Sequence, residues 1–192
     1  MNLYISDLHF GHKNAIKFDH RPFYDVEEMD RMLIQAWNAR VNEGDHVYIL
    51  GDFCYRNEKE EQWYLQRLKG HKHLIVGNHD GKLLKNEIAM SYFESVDQLL
   101  LFKDGDKEIV LCHYPLACWN KEQHGSWHIY GHIHNLGETQ DEELRAVFSY
   151  MLNRERALNA GCMINYYAPV SMTELIENNR RYRESLFGVN NE

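Results

Sequence analysis

The sequence has no long hydrophobic run, little proline and few cysteines. Only three of its 192 residues are proline and four are cysteine. No apolar stretch approaches the roughly 18 residues that a membrane-spanning helix needs. The first twelve residues, MNLYISDLHFGH, lack the basic region and the hydrophobic segment of a signal peptide. Without such a segment we expect no membrane partner. Because no C-x-x-C pair occurs and a domain of this size needs no disulfide, we expect free thiols and a reducing cytoplasmic location.

An excess of positive charge is also absent. The chain has 21 Lys and Arg against 29 Asp and Glu, a formal net charge of -8, which argues against broad electrostatic binding to nucleic acid. No internal repeat or low-complexity tract occurs. The length predicts a single domain, residues 1–187, followed by a short polar tail, residues 188–192. Nothing in the sequence indicates an oligomeric state.

The pattern of apolar residues predicts a mixed α/β fold. Strand-length apolar runs occur at Leu3–Ile5, Val47–Leu50, Leu74–Val76, Leu99–Phe102, Ile109–Cys112 and His128–Tyr130. Helical spacing predicts helices at Val26–Val41, Glu58–Leu68, Asp141–Asn153 and Thr173–Arg183. The strand–helix alternation of the first half predicts a parallel sheet. The pair Asp104-Gly105 is typical of a hairpin turn, so the later strands make the architecture mixed.

Polar side chains follow five of the predicted strands directly. In α/β proteins ligands bind beyond the carboxyl ends of the strands, so these residues are expected to converge. The convergent set contains two carboxylates, one amide and four of the twelve histidines: Asp7, His9, Asp52, Asn78, His113, His132 and His134.

This donor set predicts a metal centre. Seven donors are too many for one tetrahedral zinc ion, which takes three or four protein ligands. They suit two divalent ions that share a carboxylate. Mixed imidazole and carboxylate ligands favour transition metals over Mg²⁺ or Ca²⁺. We expect manganese, with iron, zinc, nickel or cobalt as alternatives.

The order of the motifs resembles the calcineurin-like metallophosphoesterases. The motifs are D-x-H (Asp7, His9), G-D (Gly51, Asp52), G-N-H-D (Gly77 to Asp80), a single His113 and G-H-x-H (Gly131 to His134). All five occur in order across residues 7–134. The resemblance implies a two-sheet β-sandwich flanked by helices, in which Leu158–Gly161 forms a further core strand.

The resemblance also implies roles for the motif residues. Asp7, His9 and His134 would bind the first metal, Asp52 would bridge both, and the second would be completed by Asn78, His113 and His132. Asn78 would in addition donate to a phosphate oxygen. His79 would protonate the leaving alkoxide or stabilise its charge, with Asp80 orienting the His79 ring.

The expected activity is hydrolysis of a small phosphodiester by attack of a metal-bridging hydroxide on phosphorus, with His79 as acid. A phosphomonoesterase, a nucleotide-type pyrophosphohydrolase and a non-catalytic metal-binding scaffold are the alternatives. Three further residues are candidate substrate contacts, each with a structural alternative. His12 could touch a phosphate or lie at the surface, Arg21 could clamp a phosphate or be solvent-exposed, and Trp119 could stack on a base or pack.

Overall fold

The computed structural model of the chain describes residues 1–135 and 141–187; the predicted tail, 188–192, lies outside the described residues. Eight strands occur in this part of the chain: β1 (Asn2–Ile5), β2 (His46–Ile49), β3 (His71–Ile75), β4 (Phe93–Asp97), β5 (Leu99–Asp104), β6 (Lys107–Cys112), β7 (Trp127–Tyr130) and β8 (Ala157–Asn159). The helices of the same part are α1 (Lys13–Phe18), α2 (Val26–Arg40), α3 (Glu61–Leu65), α4 (Glu87–Met90), α5 (Glu142–Leu152) and α6 (Met172–Phe187).

The strands form two four-stranded sheets, as the resemblance implies. The first sheet has the order β1-β2-β3-β4 and is parallel throughout. The second has the order β5-β6-β7-β8, with β5 antiparallel to β6 and the other pairs parallel. The predicted β5–β6 hairpin is confirmed, but Asp104 still pairs with Lys107. The turn therefore lies at Gly105 and Asp106, where Gly105 has a φ of +63°.

The core is divided by the first sheet. Alternate residues of a strand face opposite sides, so Leu3 and Ile5 pack under α2 against Leu33 and Trp37. Residues of the other face, such as Tyr4, lie between the two sheets. The inter-sheet core also contains Tyr48, Leu50, Ile75, Ile109, Leu111, Ile129 and Leu158.

Side-chain caps begin two of the longer helices. The Asp25 side chain caps α2 by accepting from the backbone N–H of Glu28, and Asp141 caps α5 in the same way. Asn57 does not cap α3, because that helix begins later, after Glu60. Asn57 instead donates to the Lys59 carbonyl and to the Glu61 carboxylate.

The two sheets meet where their strands end. Beyond β1, the N–H of Ser6 donates to the carbonyl of Ala160 over 2.8 Å, and Ser6 forms an isolated parallel bridge with Gly161, just past β8. This contact brings the carboxyl ends of both sheets to one edge. Among the described residues, no helix has the length and apolarity required to span a bilayer.

Candidate metal centre

Each predicted metal ligand lies just beyond a strand, and five of the seven have left-handed backbone conformations. The φ angles are +56° for Asp7, +52° for His9, +53° for Asp52, +69° for His132 and +47° for His134. Asp and His tolerate this region better than most residues, yet such a conformation costs on the order of 1–3 kcal/mol each. The surrounding contacts therefore hold the turns in place against local preference.

Two glycines allow the turns to approach one another closely. A Cβ atom on Gly131 would lie 1.8 Å from Ser6 Oγ and 2.8 Å from Asp7 Oδ2. A Cβ on Gly77 would lie 2.5 Å from Asp52 Oδ1 and 2.6 Å from the Asp52 backbone nitrogen. Real Cβ atoms do not make such contacts, so any other residue would push the strand ends apart.

The first group of donors is compact and largely buried. Its four members are Asp7, His9, Asp52 and His134, and one ligand atom from each lies within 4.8 Å of all the others. His9 Nε2 lies 3.2 Å from His134 Nε2 and 3.6 Å from Asp52 Oδ2. His134 Nε2 lies 3.5 Å from Asp7 Oδ1. All four donors thus face a common point.

The second group lies on the other side of Asp52. His113 Nε2 is 3.0 Å from Asn78 Oδ1 and 3.7 Å from Asp52 Oδ1. The His132 ring packs edge-on against the His113 ring with centroids 5.1 Å apart. The backbone N–H of His132 donates to both oxygens of Asp7 over 3.1 Å, which ties the two groups together.

Hydrogen bonding on the outer side of two histidines leaves lone pairs directed inward. His113 Nδ1 donates to the Leu50 carbonyl over 2.7 Å, so in the neutral ring Nε2 carries a lone pair that faces two oxygens. His134 Nδ1 contacts Asp19 Oδ1 at 2.6 Å, and its Nε2 faces His9 Nε2. Once His134 has lost its Nε2 proton, the nitrogen and oxygen lone pairs of the site converge and repel one another, and cations relieve that repulsion. The donor set therefore fits divalent metal ions.

Without a metal ion, two of the predicted ligands have raised pKa values. Burial, with the Asp7 carboxylate adding to it, raises the pKa of Asp52 to about 7. Burial lowers the pKa of the His134 ring, but the carboxylates of Asp7 and Asp19 outweigh it and raise that pKa to about 10. A cation bound here must displace the His134 proton, so metal affinity falls as the pH falls.

An ion pair supports the first group from behind. The Asp19 carboxylate accepts from Arg21 Nε over 2.9 Å while its other oxygen holds His134. Arg21 also donates to the carbonyls of Leu8, over 2.8 Å, and Asp7, over 2.9 Å, and its side chain is 0% exposed. The prediction that Arg21 clamps a substrate phosphate is therefore wrong, because its guanidinium is enclosed and fully engaged. Arg21 and Asp19 are positioning residues.

Asp80 also has a different role from the predicted one. Its buried carboxylate accepts from the backbone N–H groups of Asp52 (3.1 Å), Phe53 (3.0 Å) and Gly77 (2.8 Å). None of these bonds involves the His79 ring, so the prediction that Asp80 orients that ring is wrong. Asp80 instead fastens the turn after β2 to the turn after β3.

His79 is held by other contacts. Its backbone N–H donates to Asp52 Oδ1 over 2.9 Å, and its ring packs against the Tyr55 ring with centroids 4.0 Å apart. Burial lowers the pKa of His79, which keeps the imidazole neutral at pH 7. The ring lines a cavity of about 460 Å³ in front of both donor groups.

The same cavity places the remaining predicted contacts. His12 and Asn78 line it, together with Arg56 and the exposed ring of Phe18. Trp119 is not among the described residues that line it. The indole N–H of Trp119 donates to the Ser126 carbonyl over 3.3 Å, and its ring packs against His128. The prediction that Trp119 stacks on a substrate base is corrected accordingly: its role is packing.

Three functional residues are absent from the sequence-based set: Asp19, Tyr55 and Arg56. Tyr55 and Arg56 follow Asp52 by three and four residues, so proximity to a motif was the available signal. Asp19 carries no comparable signal, because it lies between motifs and its partner His134 is 115 residues away in sequence.

Comparison with known proteins agrees with this geometry. Residues 1–169 match the calcineurin-like phosphoesterase superfamily domain. An uncharacterized protein of Methanocaldococcus jannaschii is 30% identical over 175 residues, covering 90% of this chain and 88% of the relative. The gene 66 protein of Mycobacterium phage L5 is 32% identical, covering 69% and 76%. The crystal structure of an Aquifex aeolicus protein of unknown function superposes with a TM-score of 0.66 at 25% identity, covering 92% of this chain and 98% of that one. The chain belongs to the calcineurin-like phosphoesterase superfamily, whose members are metal-dependent hydrolases of phosphoester bonds.

Proposed function

We propose that this site binds two divalent metal ions and hydrolyses small phosphodiesters. The convergence of the ring nitrogens of His113, His134 and His9 on the carboxylate and amide oxygens is the observation that carries the proposal. The first ion would be held by Asp7, His9 and His134, the second by Asn78, His113 and His132, and Asp52 would contact both. Two such ions supply a nucleophile at neutral pH and neutralise the charge that develops on the phosphate oxygens.

Manganese is the metal that we propose. Four imidazoles and two carboxylates form a mixed nitrogen and oxygen donor set, which suits manganese, iron, cobalt, nickel or zinc better than Mg²⁺. No described thiol belongs to either donor group, and thiolates are the ligands that would favour zinc or copper most strongly. Within this range, cellular supply decides which ion is bound.

His79 is proposed to act on the leaving group. Since burial keeps the ring neutral, it carries one N–H that can donate to an oxygen developing negative charge. The Tyr55 ring restricts the plane of the imidazole, and the bond from the His79 backbone to Asp52 fixes its distance from the donor groups. An alkoxide gains much from such a donor, whereas a p-nitrophenolate gains little.

The cavity offers one cationic side chain to a bound phosphate. Among the described residues that line the cavity, Arg56 is the one Lys or Arg side chain. Since two bound divalent ions would attract a diester or a monoester, the preference for a diester rests on its poor alkoxide leaving group, which the His79 N–H would assist. Arg56 thus takes the phosphate-binding role that the sequence suggested for Arg21, and His12 stays a proposed substrate contact at the cavity wall.

The test is hydrolysis of bis-p-nitrophenyl phosphate, beside p-nitrophenyl phosphate, by protein stripped of metal and reconstituted with Mn²⁺. Asp52→Asn is expected to lose more than about 100-fold in kcat/KM, beyond the range typical of residues that only support ligands. Asp106→Asn removes an exposed carboxylate of the β5–β6 turn and is the matched control. Metal binding without turnover of either ester would contradict the proposal.

The role of His79 has its own test. His79→Ala is expected to bind metal normally and to slow hydrolysis of a dinucleoside phosphate, with its alkoxide leaving group, at least about tenfold more than hydrolysis of bis-p-nitrophenyl phosphate. Equal slowing of both esters would assign His79 to substrate binding.

A further inference from the structure

A second cluster of histidines lies at the opposite end of the first sheet. His46 begins β2, His71 begins β3, and His73 follows two residues later on the same face. Their rings stack: His46 lies 4.8 Å from His71 and 5.2 Å from His73, centroid to centroid. Asp52 comes six residues after His46, on the order of 20 Å along an extended chain. The cluster is therefore separate from the site described above.

A β-bulge supplies a carboxylate to this cluster. In the β3–β4 pairing, Lys72 faces Phe93 but His73 faces Ser95, so Glu94 is the extra residue. A bulge re-aims side chains at the point where it occurs. Glu94 Oε2 lies 3.8 Å from His73 Nε2 and 3.9 Å from His46 Nδ1. Its other oxygen contacts His71 Nδ1.

The ring nitrogens are oriented as ligands are. His73 Nδ1 contacts Ser95 Oγ at 2.9 Å, and when Nδ1 donates to that hydroxyl the Nε2 lone pair faces the cluster. His73 Nε2 is 2.9 Å from His46 Nδ1. Around a tetrahedral zinc ion, ligand atoms lie about 3.3–3.6 Å apart, given metal–ligand bonds of about 2.0–2.2 Å. The three separations in this cluster, 2.9, 3.8 and 3.9 Å, lie on either side of that range. Small side-chain rotations would therefore place the three atoms around one ion.

The charges of the cluster also suit a cation. The hydrogen bond that Glu94 accepts from His71 holds the pKa of Glu94 below the usual range, which keeps the carboxylate charged. Burial, with the neighbouring His46 ring, lowers the pKa of His73, which keeps that imidazole neutral. The side chains of His46 and Glu94 are 43% and 46% exposed, so an ion can enter from solvent.

We propose that His46 Nδ1, His73 Nε2 and Glu94 Oε2 form a second metal site that binds one divalent transition-metal ion, such as Zn²⁺, with a water molecule as fourth ligand. His71 holds the carboxylate from outside, as supporting residues do in metal sites. The ion links the amino ends of β2, β3 and β4. It therefore stabilises the amino-terminal end of the first sheet, opposite the end that carries the proposed hydrolytic site.

The experiment uses Zn²⁺ alone as the probe. Metal-free protein is dialysed against buffered free Zn²⁺, and bound zinc is counted by elemental analysis. The variant His46→Gln/His73→Gln is expected to bind one zinc per chain less than the wild type, and to keep the Mn²⁺-dependent hydrolysis rate within about twofold. His124→Gln, at an exposed histidine outside the cluster, is the matched control and keeps the wild-type zinc count. An unchanged count in the double variant overturns the proposal.

A milder variant distinguishes loss of the metal site from misfolding of the double variant. Glu94→Gln keeps the size of an exposed side chain and removes its charge, so it is expected to fold normally and to weaken zinc binding at this site at least tenfold. Anomalous scattering at the zinc edge, from crystals of the wild type, locates the ion. A zinc peak between His46, His73 and Glu94 supports the proposal, and its absence at saturating zinc refutes it.

Discussion

His128 is a buried histidine that links stability to pH without belonging to a metal site. Its side chain lies in β7 and is 0% exposed. Nδ1 donates to the Val110 carbonyl over 3.1 Å, and Nε2 accepts from the Leu116 N–H over 3.0 Å. The neutral ring is thus fully satisfied, and a proton on Nε2 would face another donor. Burial accordingly lowers the pKa of His128 from 6.5 to about 4.

The sign and size of the effect follow from this shift. As the pH falls below 6.5, the unfolded chain takes up a proton at this position before the folded chain does. The folded state is therefore unaffected above pH 6.5 and loses stability as the pH falls from 6.5 to 4. At about 1.36 kcal/mol per pKa unit, the full loss is about 3.4 kcal/mol, of which about 2.8 kcal/mol falls between pH 7 and pH 4.

Urea unfolding of metal-free protein at pH 7, 6, 5 and 4, with a chelator present, measures this loss. We expect the wild type to lose about 2–3 kcal/mol more than His128→Gln across the range, since glutamine does not titrate. The same difference corresponds to roughly 4–12 °C in Tm for a chain of this size. His124→Gln controls for removal of an exposed histidine. If the wild type and His128→Gln lose stability in parallel, the reasoning is refuted.

Three further substitutions test the site and the core. Asp19→Asn weakens the hold on His134 and is expected to raise the Mn²⁺ concentration needed for half-maximal hydrolysis by about 10–100-fold; an unchanged metal requirement would remove Asp19 from the metal centre. Gly131→Ala places a Cβ atom 1.8 Å from Ser6 Oγ, so we expect both hydrolysis and Tm to fall, and a variant with wild-type activity and Tm would contradict this contact. Trp37→Ala leaves a cavity under α2 and is expected to cost about 3–5 kcal/mol in urea unfolding, with a cost below about 1 kcal/mol counting against a tightly packed core.

Strong local patterns made much of the fold predictable. The apolar strands β1, β2 and β3 and the amphipathic helix α2 have the periodicities that the sequence shows. By contrast β4, Phe93–Asp97, carries two acids and a serine in five residues. Among the described strands it pairs with β3 alone, at the edge of its sheet, and it buries little apolar surface, so its sequence lacks the alternation that marks a strand. The short helices α1 and α4 are too brief for a period to emerge.

At the site, which residues converge was predictable, but what holds them was not. Asp7 and His132 each follow a strand, and the rule that ligands bind beyond strand ends places them together. Whether a given Asp or Arg faces the substrate or the protein depends on contacts between distant segments. Asp80 was assigned to catalysis as the last residue of the G-N-H-D motif, and Arg21 to the substrate because a guanidinium can clamp a phosphate. In the folded protein both side chains are buried and bond to backbone groups, and the buried Asp19 carboxylate contacts the His134 ring.

The bridge between Ser6 and Gly161 bears on how the protein matures on the ribosome. The turn that carries Asp7 and His9 is synthesised long before its backbone partner at Ala160 and Gly161. His134, whose ring completes the first donor group, also comes late. A nascent chain therefore exposes scattered histidines and carboxylates until both sheets have emerged, and only then does the metal centre assemble. Metal loading is consequently a late event, tied to completion of the fold rather than to the appearance of the first motif.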